Sequence, residues 1–243
     1  MENKNIIETY NLSKIYRLRN ASEIKAVDEV NLKVQEGEFL TILGPSGSGK
    51  TTLLNLLGGV DRPTTGEIRI DGLELSKLTE RELVKVRREK VGFVFQVFNL
   101  IPTLTALENV EVALAPTVAN RSKRLERSSH LLEWVGLGRR LHHLPAELSA
   151  GEQQRIAIAR AFANEPKIIL LDEPTGNLDT ATGREIMKMC HKANKEHYQT
   201  VVTVTHARYV REFTDRLLYM RDGKLYTQIP EEELLKSAHN LSP

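Results

Sequence analysis

Three features of the 243-residue chain predict an α/β protein built on a mostly parallel sheet. Residues 44–51 read Gly-Pro-Ser-Gly-Ser-Gly-Lys-Thr, a complete G-x-x-x-x-G-K-[ST] phosphate loop. It lies between an apolar run (39–43) and a leucine-rich helical pattern (Leu53, Leu54, Leu56, Leu57), the strand–loop–helix setting that the motif requires. Residues 167–171 and 200–204 are continuous apolar runs of the kind buried on both faces of a parallel sheet.

The remaining elements follow in order. Residues 6–43 alternate apolar and polar positions in short runs, such as Ala26-Val27 and Val30 to Val34, and predict strands. Residues 66–72 place an Asp71-Gly72 turn after a strand, a hairpin signal. Residues 79–90 form a charged surface helix, and 91–95 are again strand-like. From about Phe98 to Phe162 helical periods dominate, one of them with Leu131, Leu132, Trp134, Val135 and Leu137 on its apolar face, closed by Gly136 and Gly138. This stretch predicts an inserted helical subdomain. A final hairpin turns at Asp222-Gly223 over 217–226, followed by an acidic tail beyond Pro230.

Composition narrows the partners. With 34 basic and 32 acidic residues the net charge is +2, which supplies no electrostatic case for nucleic acid. The one cysteine, Cys190, excludes an internal disulfide, fits a reducing compartment, and is expected as a buried small residue on a helix. The N-terminus lacks the apolar stretch of a signal peptide. The longest uncharged run (91–107) is too short and polar to span a bilayer. A position on the cytoplasmic side is therefore expected, with any membrane role reached through a partner.

The loop carries specific chemistry. Across Gly44, Pro45, Ser46, Gly47, Ser48 and Gly49 the glycines let the backbone wrap phosphate oxygens and aim N–H groups inward, and the helix start adds a favourable dipole. Lys50 would reach the β- and γ-phosphates, Thr51 would hold Mg²⁺, and Thr52 ends the loop. Asp172-Glu173 ends the strand run at 168–171, at the sheet edge where ligands sit. One carboxylate there can hold the metal and the next can orient or deprotonate a water. Gln96, directly after a strand, can sense the metal or the water, and His206, at the end of another, can reach the γ-phosphate. Tyr16 can stack on a base or belong to the core. Residues 148–155 open a helix in which Ser149 and Glu152 stand in the S-x-x-E capping relation.

In this order and spacing the residues resemble the ATP-binding subunit of ABC transporters, over essentially residues 6–226. The matching elements are Tyr16 as adenine-stacking aromatic, Walker A (44–52), the Q-loop Gln96, the signature (148–152), Walker B with its glutamate (168–173), the D-loop (Asn177-Leu178-Asp179) and the switch histidine His206. The phrases at 94–102 and 172–179 resemble the MacB/LolD-type branch, which serves FtsX-like permeases. The resemblance implies a P-loop NTPase (RecA-like) core with an antiparallel β subdomain and the inserted helices. It divides the chain into an ATP-binding domain over 6–228 (core 6–95 and 163–228, helical subdomain 96–162) and a tail over 229–243.

It also implies function. Two copies sandwich two ATP molecules, and Ser149 and Gly151 of each meet the γ-phosphate held by Walker A of the other. Glu173 is the general base, with His206 as its partner. Lys50 and the loop amides stabilise charge, Thr51, Gln96 and Asp172 surround Mg²⁺, and Asp179 couples the two sites. The dimer drives an integral membrane permease, FtsX-like, in export or in lipoprotein or peptide release. The subunit would sit at the cytoplasmic face of the membrane, held there by the permease. The segment with Phe98, Leu100 and Ile101 is its expected dock, the alternative being ordinary core of the helical subdomain. An FtsE-like regulatory ATPase that signals without moving a substrate is the alternative. A DNA-repair ATPase would need a coiled-coil or zinc-bearing insertion for which there is no room, and a GTPase would need aspartate where His197 stands in Asn194-Lys195-Glu196-His197.

Two departures from the family pattern bear on dimer closure. The signature usually reads Leu-Ser-Gly-Gly-Gln, and here Ala150 and Glu152 replace its first glycine and its glutamine. Ala150 adds a methyl group where backbone approaches phosphate, and Glu152 places a carboxylate near an anionic ligand. Ala207 follows the histidine where the branch usually has aspartate.

Overall fold

A computed structural model describes residues 4–17 and 22–228. The expected C-terminal tail (229–243) lies outside the described residues.

Two sheets organise the chain. The first is antiparallel, in the order β2-β1-β4-β5, from β1 (Asn5–Arg17), β2 (Glu23–Gln35), β4 (Thr65–Ile70) and β5 (Leu73–Glu74). The expected short runs before residue 36 are thus two 13-residue strands, paired along their length with several register shifts. Those shifts break the polar–apolar alternation, so the sequence pattern looks like several short strands.

The second sheet runs β10-β9-β3-β8-β7-β6 and is parallel except for its edge hairpin. Its strands are β3 (Phe39–Leu43), β6 (Val91–Val94), β7 (Ile168–Asp172), β8 (Thr200–Thr205), β9 (Arg216–Arg221) and β10 (Lys224–Tyr226). Every residue of β3, β7 and β8 is buried, which is why these strands read as unbroken apolar runs. Alternate residues face opposite cores. Ile168 and Leu170 join the core shared with the antiparallel sheet, and Ile169 and Leu171 join the core shared with the helices.

All the α-helices but the one behind the phosphate loop begin where side chains satisfy their first amides. Thr79 with Glu82 and Thr105 with Glu108 form capping boxes ahead of α2 (Glu80–Lys90) and α3 (Ala106–Leu114). Asn120 caps α4 (Arg121–Trp134), and Ser149 with Glu152 boxes α5 (Ala150–Phe162). Asp179 caps α6 (Thr180–His197), on which Cys190 is fully buried as expected. The apolar face read across 131–137 is cut short, because α4 ends at Trp134 and Gly136 turns the chain at φ +82°. Leu137 still packs into the same core.

One cluster of charge ties the elements below the sheets. Asp71 accepts from Lys4, Lys90 and Lys167, which come from the start of the chain, the end of α2 and the residue before β7. Burial opposes the charge, yet the three ammonium groups hold this carboxyl well below the usual range.

Candidate functional site

The carboxyl edge of the parallel sheet gathers the expected residues. The chain leaves β3 into the phosphate loop, and α1 (Lys50–Leu57) starts directly behind it. The loop needs glycine at two contacts. A Cβ on Gly49 (φ +102°) would lie 1.9 Å from the Ala26 carbonyl oxygen, and one on Gly44 would lie 2.2 Å from that of Met220. The Asp222-Gly223 turn buttresses the loop, since Gly223 N donates to the Ser48 carbonyl (3.0 Å) and Asp28 N to that of Gly223 (2.9 Å). The hairpin is legible in sequence, whereas its docking on the loop is a long-range contact with no local signal.

No side chain caps α1, so its first-turn amides face the loop's interior without an intrahelical partner. Lys50 Nζ donates to the carbonyls of Gly44 and Pro45 (both 2.9 Å) and lies 3.8 Å from Glu173 Oε1. Burial lowers the pKa of this ammonium, and the Glu173 and Asp172 carboxylates work against that. A buried cation with free amides around it suits a polyanion such as a triphosphate.

Two carboxylates close the other side. Thr51 Oγ1 donates to Asp172 Oδ1 (3.0 Å), and burial pushes the Asp172 carboxyl above its ordinary range. Glu173 has φ +44°, a left-handed backbone that a non-glycine residue rarely adopts. That turn points its carboxylate back at the end of β8. Oε2 accepts from Thr205 Oγ1 (2.9 Å) and the His206 amide (3.2 Å), and His206 Nδ1 lies 3.1 Å away. Oε1 carries none of these contacts. Thr205 was not singled out in sequence, since a threonine ending a β-strand is unremarkable.

A cavity of about 510 Å³ joins these groups, lined by Ser46, Gly47, Gly49, Lys50, Thr51, Thr52, Gln96, Glu173 and His206 together with the Ile24–Ala26 stretch and Asp222-Gly223. Gln96 is exposed at its rim, and its carbonyl accepts from Asn177 Nδ2 (3.1 Å). Pro45 is exposed beside it, and the buried Ser48 hydroxyl has no hydrogen-bond partner. Tyr16 does not line the cavity. It is 40% exposed, donates to Asp61 Oδ2 (3.0 Å), and has the Lys14 ammonium 5.1 Å from its ring. Its phenol pKa is raised by burial and Asp61, with the Thr52 hydroxyl opposing, which places the ring beside the end of the loop.

Ser149, Gly151 and Asp179 assemble elsewhere. None lines the cavity, and Ser149 and Asp179 are both exposed helix caps. They adjoin one another, because a Cβ on Gly151 would come within 2.8 Å of the Thr182 methyl group, and the Thr182 amide is capped by Asp179. Glu152 caps Ser149 in turn, and it meets Arg140 Nε at 3.4 Å, a countercharge that the sequence did not announce.

Known proteins match this arrangement. The family model described as ABC transporter covers residues 27–176. The uncharacterized ABC transporter ATP-binding protein MJ0796 of Methanocaldococcus jannaschii is 47% identical over 239 residues, covering 96% of each chain. Its dimeric structure in a post-hydrolysis state, bound to ADP and Pi, matches with a TM-score of 0.85 at 45% identity, over 92% of this chain and 99% of that one. The lipoprotein-releasing system ATP-binding protein LolD 2 of Chlorobaculum tepidum is 44% identical over 92% of this chain and 93% of its own. The macrolide export ATP-binding/permease protein MacB of Rhodopirellula baltica is 47% identical over 90% of this chain but only 32% of its own length. The chain belongs to the ABC transporter ATP-binding family, on its MacB/LolD-type branch, and is an ATPase.

Proposed function

We propose that two copies of the chain close around two ATP molecules and that their hydrolysis drives an integral membrane permease of the FtsX-like kind. The carrying observation is the separation within one copy. The loop, Glu173 and His206 share a cavity that Ser149 and Gly151 do not line. A second copy related by a two-fold axis would bring each signature helix to the other's loop, as an isologous interface does. The dimeric ADP- and Pi-bound relative supports this reading.

Each residue then has a task. Lys50 and the first amides of α1 bind the β- and γ-phosphates and stabilise charge as it develops. Tyr16 stacks on the base beside Thr52. Thr51 and Asp172, with Gln96, would hold Mg²⁺, which supplies charge neutralisation on the phosphate oxygens. The fit is good: a hydroxyl open to the cavity and a buried carboxylate 3.0 Å apart form a hard-oxygen pair, and Mg²⁺ takes only one or two such groups beside phosphates and water. Glu173 Oε1, the oxygen free of Thr205 and His206, takes the proton of the attacking water. His206 holds the glutamate by its other oxygen and reaches the γ-phosphate. Ser149 and Gly151 bind that phosphate from the second copy, and Asp179, beside them, couples the two sites.

Among the described residues no helix is long and apolar enough to cross a membrane. The permease would anchor the subunit at the cytoplasmic face. The expected dock changes in detail. Phe98 and Leu100 pack against the helical core, while Val97 (68% exposed) and Ile101 (39%) present the apolar surface. Relatives named for macrolide export and lipoprotein release favour transport over signalling without a substrate.

Glu173→Gln tests the assignment. It should retain ATP, lose about 10²–10⁴-fold in hydrolysis, the usual contribution of a general base, and accumulate as an ATP-bound dimer on size-exclusion chromatography. Hydrolysis at the wild-type rate would remove Glu173 from the role.

A further inference from the structure

Resting on the two-copy reading, we propose that Arg140 is a positioning residue for the signature: it holds the Glu152 carboxylate so that Ser149 can turn its hydroxyl to the γ-phosphate.

The conflict lies in one proton. Ser149 Oγ donates to Glu152 Oε2 (2.9 Å) and accepts from the Glu152 amide (3.3 Å), and the same carboxylate oxygen accepts from Ser149 N (2.9 Å). A hydroxyl has a single proton to give, and in the isolated chain the carboxylate owns it. That carboxylate also brings a full negative charge to the spot where a polyanion must arrive. Without compensation both effects oppose closure. Glutamine at this position would lack the charge.

Arg140 supplies the compensation. Its Nε lies 3.4 Å from Glu152 Oε1, the oxygen not engaged by Ser149. The approach is built rather than accidental. Gly136 turns the chain after α4, Arg140 N donates to the Leu137 carbonyl (2.8 Å), and its own carbonyl accepts from His143 N (3.1 Å). One terminal guanidinium nitrogen lies 3.1 Å from His143 Nε2, which fixes the direction of the fork. Arg139, Arg140 and Glu152 line one recess with Glu133, so Glu133 is the other acid that could draw on the guanidinium. Half of the Arg140 side chain is exposed, leaving it free to tighten on Glu152. When phosphate arrives, the serine hydroxyl rotates from carboxylate to phosphate. The Ser149 amide keeps its cap, and Arg140 carries the charge that the hydroxyl no longer solvates.

The test is a double-mutant cycle on the full chain carrying Glu173→Gln, with ATP-dependent dimerisation read by sedimentation and ATP binding by each monomer read with a fluorescent ATP analogue. Arg140→Ala should weaken dimerisation about 5-fold while leaving monomer ATP affinity unchanged, the size that two part-exposed ion pairs, one in each copy, supply together. With Glu152→Gln present, the same Arg140→Ala change should cost less than about 2-fold, because there is no carboxylate left to hold. Arg139→Ala, which removes the same charge from the same recess, should act weakly in both backgrounds. Equal losses from Arg140→Ala with and without Glu152→Gln, or equal losses from Arg139→Ala, would overturn the proposal in favour of a structural or general-charge effect. A reference protein that fails to dimerise with ATP overturns the two-copy reading, and the role of Arg140 with it.

Discussion

The two ends of the nucleotide machinery are built differently. At the phosphate loop, Lys50, Asp172 and Glu173 are each under 10% exposed and already in mutual contact through Thr51, Thr205 and the loop carbonyls. At the signature, Ser149 and Asp179 are exposed, and their polar groups are spent on capping their own helices. One end is a finished receptor that carries the desolvation cost of three charges before ligand arrives. The other is an ordinary helix start until something is brought to it. Binding strength should therefore reside in the loop, and response to nucleotide in the signature.

The largest contrast should come from Lys50→Ala against Ser149→Ala. Lys50→Ala leaves two buried carboxylates without their cation and should weaken ATP binding by the isolated chain about 100-fold or more, measured by calorimetry. Ser149→Ala should leave that affinity unchanged, lose ATP-dependent dimerisation, and cost about 1 kcal/mol of stability as a lost cap. Matching losses of monomer affinity would erase the distinction between the two ends.

A smaller effect should appear at Asp71, below both. Its carboxyl is held low by three lysines, so its contribution is complete above the unfolded-state pKa near 4 and is lost as pH falls below that. Asp71→Asn should cost about 1–2 kcal/mol in urea unfolding at neutral pH, with the difference from wild type shrinking in acid and ATP affinity unaffected. A difference that grows in acid would contradict this sign.

The smallest concerns Cys190. Burial pushes its thiol up to about 12, so alkylation of the native protein at pH 8 should be negligible and should appear only on unfolding. Rapid labelling of the folded chain would show that α6 opens.

Legibility in the sequence divides along the same line. The loop, Asp172, Glu173, Gln96 and His206 could be read because each ends a buried strand, and a parallel sheet presents all such ends at one edge. Ser149 could be read as a cap, and the structure agrees that capping is what it does in one copy. Contacts between distant segments were not legible. Thr205 on Glu173, Gly223 on Ser48 and Arg140 on Glu152 are matters of register and turn geometry. Glu152 shows the consequence most plainly. Read as an uncompensated charge, it predicts that Ala150→Gly with Glu152→Gln strengthens dimerisation. With Arg140 at 3.4 Å, the glutamate's share of that gain should be small. The long β1–β2 ladder was likewise hidden, since its register shifts interrupt the alternation by which a strand is recognised.

The most direct measurement mixes two disabled proteins in a Glu173→Gln background. One carries Lys50→Ala and cannot hold ATP, and the other carries Ser149→Arg and cannot present its signature. A composite site needs a loop from one copy and a signature from the other, so the mixture retains one intact site of two. Sedimentation with ATP should find each protein monomeric alone and a heterodimer on mixing. Full dimerisation of the Ser149→Arg protein by itself, or no association in the mixture, would contradict the shared site.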